Sequence, residues 1–305
     1  MKILVLGGGD SPERAVSLRS AAAVAGALRQ AGYEVDEFDP GDGLAGPDKI
    51  APDTMVFPIL HGSGGEDGFI QAELEKRHLP YLGTKSKESK LCFDKGLTRK
   101  RLEEAGIPIA RGALVDRETY PVHDLAKKQH VLKVSRGGSS IGTYIVRNPA
   151  DIDEKSIEDV FSLGGEAVIE QLIEGSEITV PILDGSALPV IEIRPPEDQE
   201  FDYENKYNGR TQEICPPESV DSKTQAAASK LAEKVHKALG ARHLSRVDLI
   251  VRNDGSMVVL ELNTIPGMTE QSLFPKSAAV AGIPMSELVK RFVSMVRRDY
   301  NMSHE

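Results

Sequence analysis

Arg246-Val-Asp-Leu-Ile-Val-Arg-Asn-Asp-Gly-Ser-Met-Val-Val-Leu-Glu-Leu-Asn263, continued by Thr264-Ile-Pro-Gly-Met-Thr269, is the stretch on which the fold turns. Two runs rich in β-branched residues flank Asn253-Asp254-Gly255-Ser256, and Asp-Gly between such runs is a strong hairpin signal. A tight turn there sets Arg252 opposite Met257, and counting back sets Asp248 opposite Glu261 and Arg246 opposite Asn263. Strand alternation gathers these last four residues on one face at the open end of the ribbon. The other face, Val247, Leu249, Val251, Val258, Leu260 and Leu262, is apolar throughout and is expected to be core.

Opposed carboxylates on paired strands stand roughly 5 Å apart at Cβ and repel. A cation between or over them answers that repulsion. Arg246 neutralises both acids at a solvated strand end, or an oxygen-preferring ion such as Mg2+ takes both carboxylates and the Asn263 amide. The hairpin alone leaves both readings open.

A chain of 305 residues can hold two or three domains with proper cores. With 40% hydrophobic and 28% charged residues and no tryptophan, the composition is that of a soluble globular protein. No apolar run approaches the roughly 18 residues of a membrane span, and the N-terminus enters a strand without a signal-peptide pattern. Cys92 and Cys215 are too few and too isolated for a disulfide framework or a zinc site. A cytoplasmic protein without a membrane partner is expected. The net charge of −10 argues against a nucleic-acid partner, which needs a basic footprint. Any phosphate site must therefore be local, built from a few cations and backbone amides.

Residues 2–6 read as a strand, Gly7-Gly8-Gly9 as a loop, 12–30 as a helix and 33–38 as a second strand. The dinucleotide fingerprint fails because its third glycine falls on Pro12, so a Rossmann-like half-domain without NAD is expected. Glu13 and Arg14 stand in the first helical turn, at the end of the sheet where ligands bind; a glutamate there also compensates the helix dipole. A buried strand at 54–60 runs into His61-Gly-Ser-Gly-Gly-Glu-Asp-Gly68. That glycine spacing suits close ligand approach, or equally a flexible turn bearing a surface histidine. A helix over Phe69–Lys76, a strand near Tyr81 and a lysine- and serine-rich domain boundary at 83–89 follow.

One helix is expected over 89–105, with Lys95 as a solvated charge. A strand over 130–133 ends in Lys133 and leads through Ser135-Arg-Gly-Gly-Ser-Ser-Ile-Gly142 into a strand at 143–146. Free amides in such a loop can cradle an anion, although no P-loop occurs in the chain. Strands at 167–171 and 177–183 carry Glu170 and Glu177, and another is read at 188–193. The polar segment 195–217 exceeds the roughly 12–15 residues beyond which loops tend to be lids or binding loops. Helices close the reading at 222–239, capped by Asp221, and at 286–300.

Five blocks, in order, resemble the D-alanine–D-alanine ligases of the ATP-grasp superfamily over essentially the whole chain. They are Gly8-Gly-Asp-Ser-Pro-Glu-Arg-Ala-Val-Ser-Leu18, the 61–68 block, Lys133 with Gly138-Ser-Ser-Ile-Gly142, Tyr203-Glu-Asn-Lys-Tyr207 with Cys215-Pro216, and 246–248 through 261–269 with Ser272-Leu273. The resemblance implies an α/β (α+β) ATP-grasp fold in three domains. These are a Rossmann-like domain at 1–88, a central ATP-grasp subdomain at 89–184, and a C-terminal subdomain at 185–305 bearing the metal hairpin. ATP would lie between the last two.

By the same resemblance Lys95 and Lys133 contact ATP phosphates, Glu170 and Glu177 the adenosine, and Lys206 the nucleotide. Asp248, Glu261 and Asn263 hold Mg2+ or Mn2+, as two ions. The implied reaction phosphorylates the carboxylate of one D-alanine with ATP, and the amine of a second attacks the acyl phosphate, giving a peptidoglycan precursor. Arg246 and the Gly267 amide stabilise the oxyanion. Glu13 holds the first ammonium in a triad with Ser139 and Tyr207, His61 stands near that site, and Ser272 and Leu273 stand near the second. A homodimer is the family expectation.

Val134, Gln171, Leu172, the Arg-Val-Asp-Leu metal strand and Ala241-Arg-His-Leu-Ser245 depart from the family pattern, and none removes a catalytic group. Tyr207 is the residue type of the dipeptide-forming members, whereas phenylalanine there accompanies D-lactate acceptance. The alternatives are an ATP-grasp ligase with another second substrate and an ATP-binding relative that has lost turnover. Intact Arg246, Asp248, Glu261, Asn263 and Tyr207 speak against the latter.

Overall fold

The computed structural model describes residues 2–42, 50–138, 142–150, 152–196 and 210–302. The chain runs β1 (Ile3–Leu6), α1 (Arg14–Gln30), β2 (Val35–Phe38), β3 (Met55–Pro58), α2 (Phe69–Lys76), α3 (Ser86–Phe93) and α4 (Lys95–Glu104). It continues with β4 (Gly112–Asp116), β5 (His130–Val134), β6 (Thr143–Val146), α5 (Glu154–Ser162), β7 (Glu166–Gln171), β8 (Ser176–Leu183), β9 (Ser186–Ala187), β10 (Ile191–Arg194) and β11 (Gln212–Ile214). α6 (Ser222–Ala238), β12 (Leu244–Val251), β13 (Met257–Asn263), α7 (Leu273–Val280) and α8 (Met285–Met302) complete it. Among the described residues no helix is long and apolar enough to cross a membrane.

β1 pairs in parallel with β2 and β3, the expected Rossmann-like half. Val5 and Phe57 are fully buried, in keeping with a parallel sheet covered on both faces. One cover is α1, through Val24, Ala25 and Leu28; the same core takes Phe292 and Val296 of α8. Leu288, Val289, Phe292, Val293 and Val296 recur at helical spacing and form one buried stripe. The last helix thus closes the core beside the β1–β3 sheet, with Phe292 edge-on to Phe57 at 6.4 Å between ring centroids.

The second sheet has the order β4-β7-β5-β6, and α5 packs on it through Val160 and Phe161. Asp153 caps α5 by accepting from Ser156 N at 2.7 Å. The third sheet runs β11-β10-β8-β12-β13, with β9 on β8. Its central strand is β8, paired with β12 from Leu244↔Leu183 to Val251↔Ser176, so the boundary expected at 184/185 falls after a strand of this sheet. α6 covers it through Ala228, Ala232 and Val235, and Asp221 caps that helix as expected, accepting from Lys223 N and Thr224 N.

Three expectations need correction. The helix expected over 89–105 is two helices, broken where Asp94 takes an extended φ −92, ψ 106. The reason is tertiary: the loop after β5 docks there, with Lys95 N donating to Ser135 O at 2.9 Å and Arg136 Nε to Asp94 at 2.8 Å. The stretch read as a boundary at 83–89 already contains the start of α3 at Ser86. The strand expected at 188–193 lies at Ile191–Arg194, after Pro189, whose ring nitrogen cannot donate to a ladder.

Candidate active site

At its open end the β12–β13 hairpin has the expected register, Arg246↔Asn263 and Asp248↔Glu261. Towards the turn it slips by one, to Leu249↔Val259, Ile250↔Val258 and Val251↔Met257, so the expected Arg252–Met257 pair is not made. Leu260 is the extra residue of a β-bulge. The expected core face changes accordingly. Val259 joins Val247, Leu249 and Val251 in the core, while Val258 turns to Ala110, Ile173 and Ile250. Leu260, expected in the core, lines the same cleft as Glu261, because a bulge turns two consecutive side chains to one side.

Asp248 is buried. Arg246 grips it with two bonds, Nε to Oδ1 at 2.9 Å and Nη2 to Oδ2 at 2.8 Å, and Thr179 Oγ1 donates to Oδ1 at 2.5 Å. Glu261 has no ion pair within 4 Å among the described residues. Arg246 therefore neutralises one of the facing acids rather than both. Asn263 Oδ1 accepts from Ile265 N at 2.9 Å, which turns the chain into the loop 264–269. Two carboxylates and an amide oxygen form an all-oxygen donor set on one rim, which fits a hard divalent cation.

Between the second and third sheets lies a cleft of about 870 Å3, reached by Lys133, Glu170, Glu177, Asp248, Leu260 and Glu261. Lys95 is half-buried rather than fully solvated, because the 135–138 loop docks onto the start of α4. Its Nζ donates to Gly137 O at 2.7 Å, and burial, with Lys133 nearby, lowers its pKa despite the acids. Lys133 Nζ lies 2.5 Å from Glu170 Oε2, and Arg99 bonds the other oxygen of that carboxylate. Burial works against the Glu170 anion, but Lys133 and Arg99 outweigh it and hold the carboxyl below its ordinary value.

In an adjoining cavity that shares Lys95, Lys133, Glu170 and Glu261 with this cleft, Glu13 occupies the N-cap position of α1 without capping it. Its carboxylate lies between two backbones: a Cβ at Gly62 or at Gly138 would come within 2.8 Å of Glu13 Oε2. The glycines expected to admit a ligand thus first admit this acid. His61 is buried, bonded to Ser20 Oγ at 3.2 Å and to the Ile265 backbone, and its pKa falls to about 4 through burial. It is a neutral tie between α1 and the loop 264–269, whose Met268 N donates to the same Ser20 hydroxyl at 3.2 Å. A Cβ at Gly267 would meet Ser272 Oγ at 2.8 Å, while Leu273 packs with Ile191 and Ile193 in the third sheet's core. Ser139, Lys206 and Tyr207 lie outside the described residues.

A family model described as the D-Ala–D-Ala ligase C-terminus matches residues 102–294. The D-alanine–D-alanine ligase of Xanthobacter autotrophicus is 41% identical over 293 residues, covering 94% of this chain and 95% of that one. That of Oleidesulfovibrio alaskensis is 36% identical over 303 residues, covering 97% and 96%. The chain belongs to the D-alanine–D-alanine ligase family. A crystal structure of the Bacillus anthracis D-alanine–D-alanine ligase complexed with ATP superposes with a TM-score of 0.83 at 30% identity, covering 99% of each chain. The ATP-grasp fold follows from that match.

Four residues that reach this family site were not singled out from sequence: Glu66, Arg99, Thr179 and Leu260. Glu66 stands in the 61–68 block, but only its burial beside Glu13 gives it weight. Its carboxylate accepts from Gly62 N at 2.7 Å, and burial, then the charge of Glu13, pushes its pKa to about 8. A carboxyl raised on folding contributes stability that is full below its ordinary value of 4.5 and is lost as pH rises towards about 8. The ligand-free Glu66→Gln variant is therefore expected to be more stable than wild type at pH 8.5, by on the order of 2–4 kcal/mol. At pH 5.5 the gain should shrink to about a third of that. Urea unfolding at both values checks this; an equal gain at both would remove the buried-acid account.

Proposed function

We propose that this protein joins two D-alanine molecules at the expense of ATP, releasing ADP and phosphate, for peptidoglycan precursor synthesis. One observation carries the reading. Two adjoining cavities share Lys95, Lys133, Glu261 and the buried carboxylate of Glu170, with Asn263 on one and Asp248 on the other, in a chain that matches a ligase of this activity over 94% of its length. The three-domain division at 1–88, 89–184 and 185–305 is part of the proposal, with ATP between the last two.

Lys95 and Lys133 offset the phosphate charge, Glu170 and Glu177 meet the adenosine, and Lys206 completes the nucleotide's contacts. Mg2+ or Mn2+, held as two ions by Asp248, Glu261 and Asn263, neutralises charge on the moving phosphoryl group when bound. Glu13 takes the ammonium of the first D-alanine, with Ser139 and Tyr207 beside it and His61 close by. Arg246 and the Gly267 amide face the carboxylate, whose oxygen attacks the γ-phosphorus as ADP leaves. The second D-alanine, near Ser272 and Leu273, then attacks the carbonyl through its amine, losing a proton as phosphate departs. Arg246 grips Asp248 through Nε and Nη2, which holds in place the guanidinium that this reading gives to the oxyanion. The proposal also includes a homodimer acting in the cytoplasm, with no nucleic-acid or membrane partner.

Phosphate release from ATP with Mg2+ tests the reading, with D-alanine compared against L-alanine and against D-alanine mixed with D-serine or D-lactate. Release that needs D-alanine and yields its dipeptide by mass is expected. Nucleotide binding without release on any of these would move the assignment to another carboxylate–amine ligase or to an inactive relative.

A further inference from the structure

Among the described residues, the reaction as assigned above leaves the buried cation Arg99 without a task. Arg99, on α4, is 8% exposed and far from any position a solvated helix charge would take. Its Nη1 bonds Glu170 Oε1, and its Nη2 donates to Ala110 O at 2.9 Å. The second oxygen of the same carboxylate belongs to Lys133, at 2.5 Å. Strand pairing explains the geometry. Glu170 is opposite Val131, so Lys133, two residues along β5, projects from the same face of the sheet.

The charges make the arrangement directional. Glu170 and Lys133 alone would form a closed pair of zero net charge, with the ammonium's field spent on its partner. Arg99 adds a positive charge, so these three groups together are net positive, offset in part by the exposed Glu103 carboxylate 3.7 Å from Arg99 Nη2. A lysine in that place would be open to the same loss of its proton that burial and Lys133 promote at Lys95. A guanidinium stays charged. Its fork also reaches two acceptors at once, which an ammonium on a single stem does less well.

We propose that Arg99 is a positioning residue of the nucleotide site, tying down one oxygen of Glu170 so that the other holds the Lys133 ammonium ready for the polyphosphate. This inference rests on the assignment of Lys133 and Glu170 to ATP made above. Arg99 acts through Glu170 and touches no substrate.

The test compares wild type, Arg99→Met, Glu170→Gln, the double variant and Arg99→Lys, all as full chains. Arg99→Met is expected to raise KM for ATP about tenfold while KM for D-alanine and kcat stay within about threefold. Arg99→Lys, with one bond fewer and a charge that burial opposes, should raise KM for ATP at least about threefold; it carries the test if the methionine variant does not fold. In the Glu170→Gln background, adding Arg99→Met should change KM for ATP by less than about twofold, the non-additivity of residues acting as a unit. A folded Arg99 variant with an unchanged KM for ATP, or an undiminished penalty in the Glu170→Gln background, overturns the proposal. If Glu170→Gln itself leaves KM for ATP unaltered, the nucleotide assignment falls and the role of Arg99 falls with it. A penalty for Glu170→Gln with none for Arg99→Met would overturn the role of Arg99 alone.

Discussion

Glu261→Gln is expected to lower turnover by about a thousandfold while leaving the fold intact. The substitution keeps volume and one acceptor oxygen and removes the charge. Glu261 has no ion pair among the described residues, so no structural partner is orphaned by the change. What disappears is an anion of the proposed metal site that also acts on Lys95. Steady-state phosphate release over a range of Mg2+ concentrations, beside a thermal melt, checks both halves. Turnover within about threefold of wild type would sink the metal assignment.

Arg246→Met should do damage of two kinds. Asp248 is 6% exposed, and its two bonds from the guanidinium are charge-assisted. Removing one partner of a buried pair costs on the order of 3–5 kcal/mol, because the remaining charge stays buried. Loss of a donor to the oxyanion costs a further factor of about 10²–10³ in kcat. Arg246→Lys separates the effects: it restores charge beside Asp248 without the planar fork. Stability should recover more than turnover, read by urea unfolding and by dipeptide formation. A lysine variant with full turnover would mean that charge alone suffices and that the proposed donor geometry is not needed.

The polar end of the hairpin was legible because pairing there is unbroken, from Arg246↔Asn263 to Asp248↔Glu261. Its apolar face was only partly legible. A count back from the turn assumes unbroken pairing, and the bulge at Leu260 cancels a one-residue shift at the turn, so the two departures hide each other at the open end. The split at Asp94 is of the same kind: local propensity favours one helix, and the bond from Arg136, 42 positions away, favours two. α5 is different. Ile157, Val160 and Phe161 recur at helical spacing, so its signal lies in the sequence itself.

By itself the sequence determined the element types, the family and the residue chemistry of the cleft, because periodicity, turn residues and short motifs are local properties. Tertiary structure alone decided which charges share partners. Glu66 became a buried acid beside Glu13, Arg99 met Glu170 across 71 positions, His61 became a neutral tie, and the last helix entered the core beside β1 and β3. Burial and Coulomb energy depend on distance in space, and the spacing of residues along a chain does not encode it.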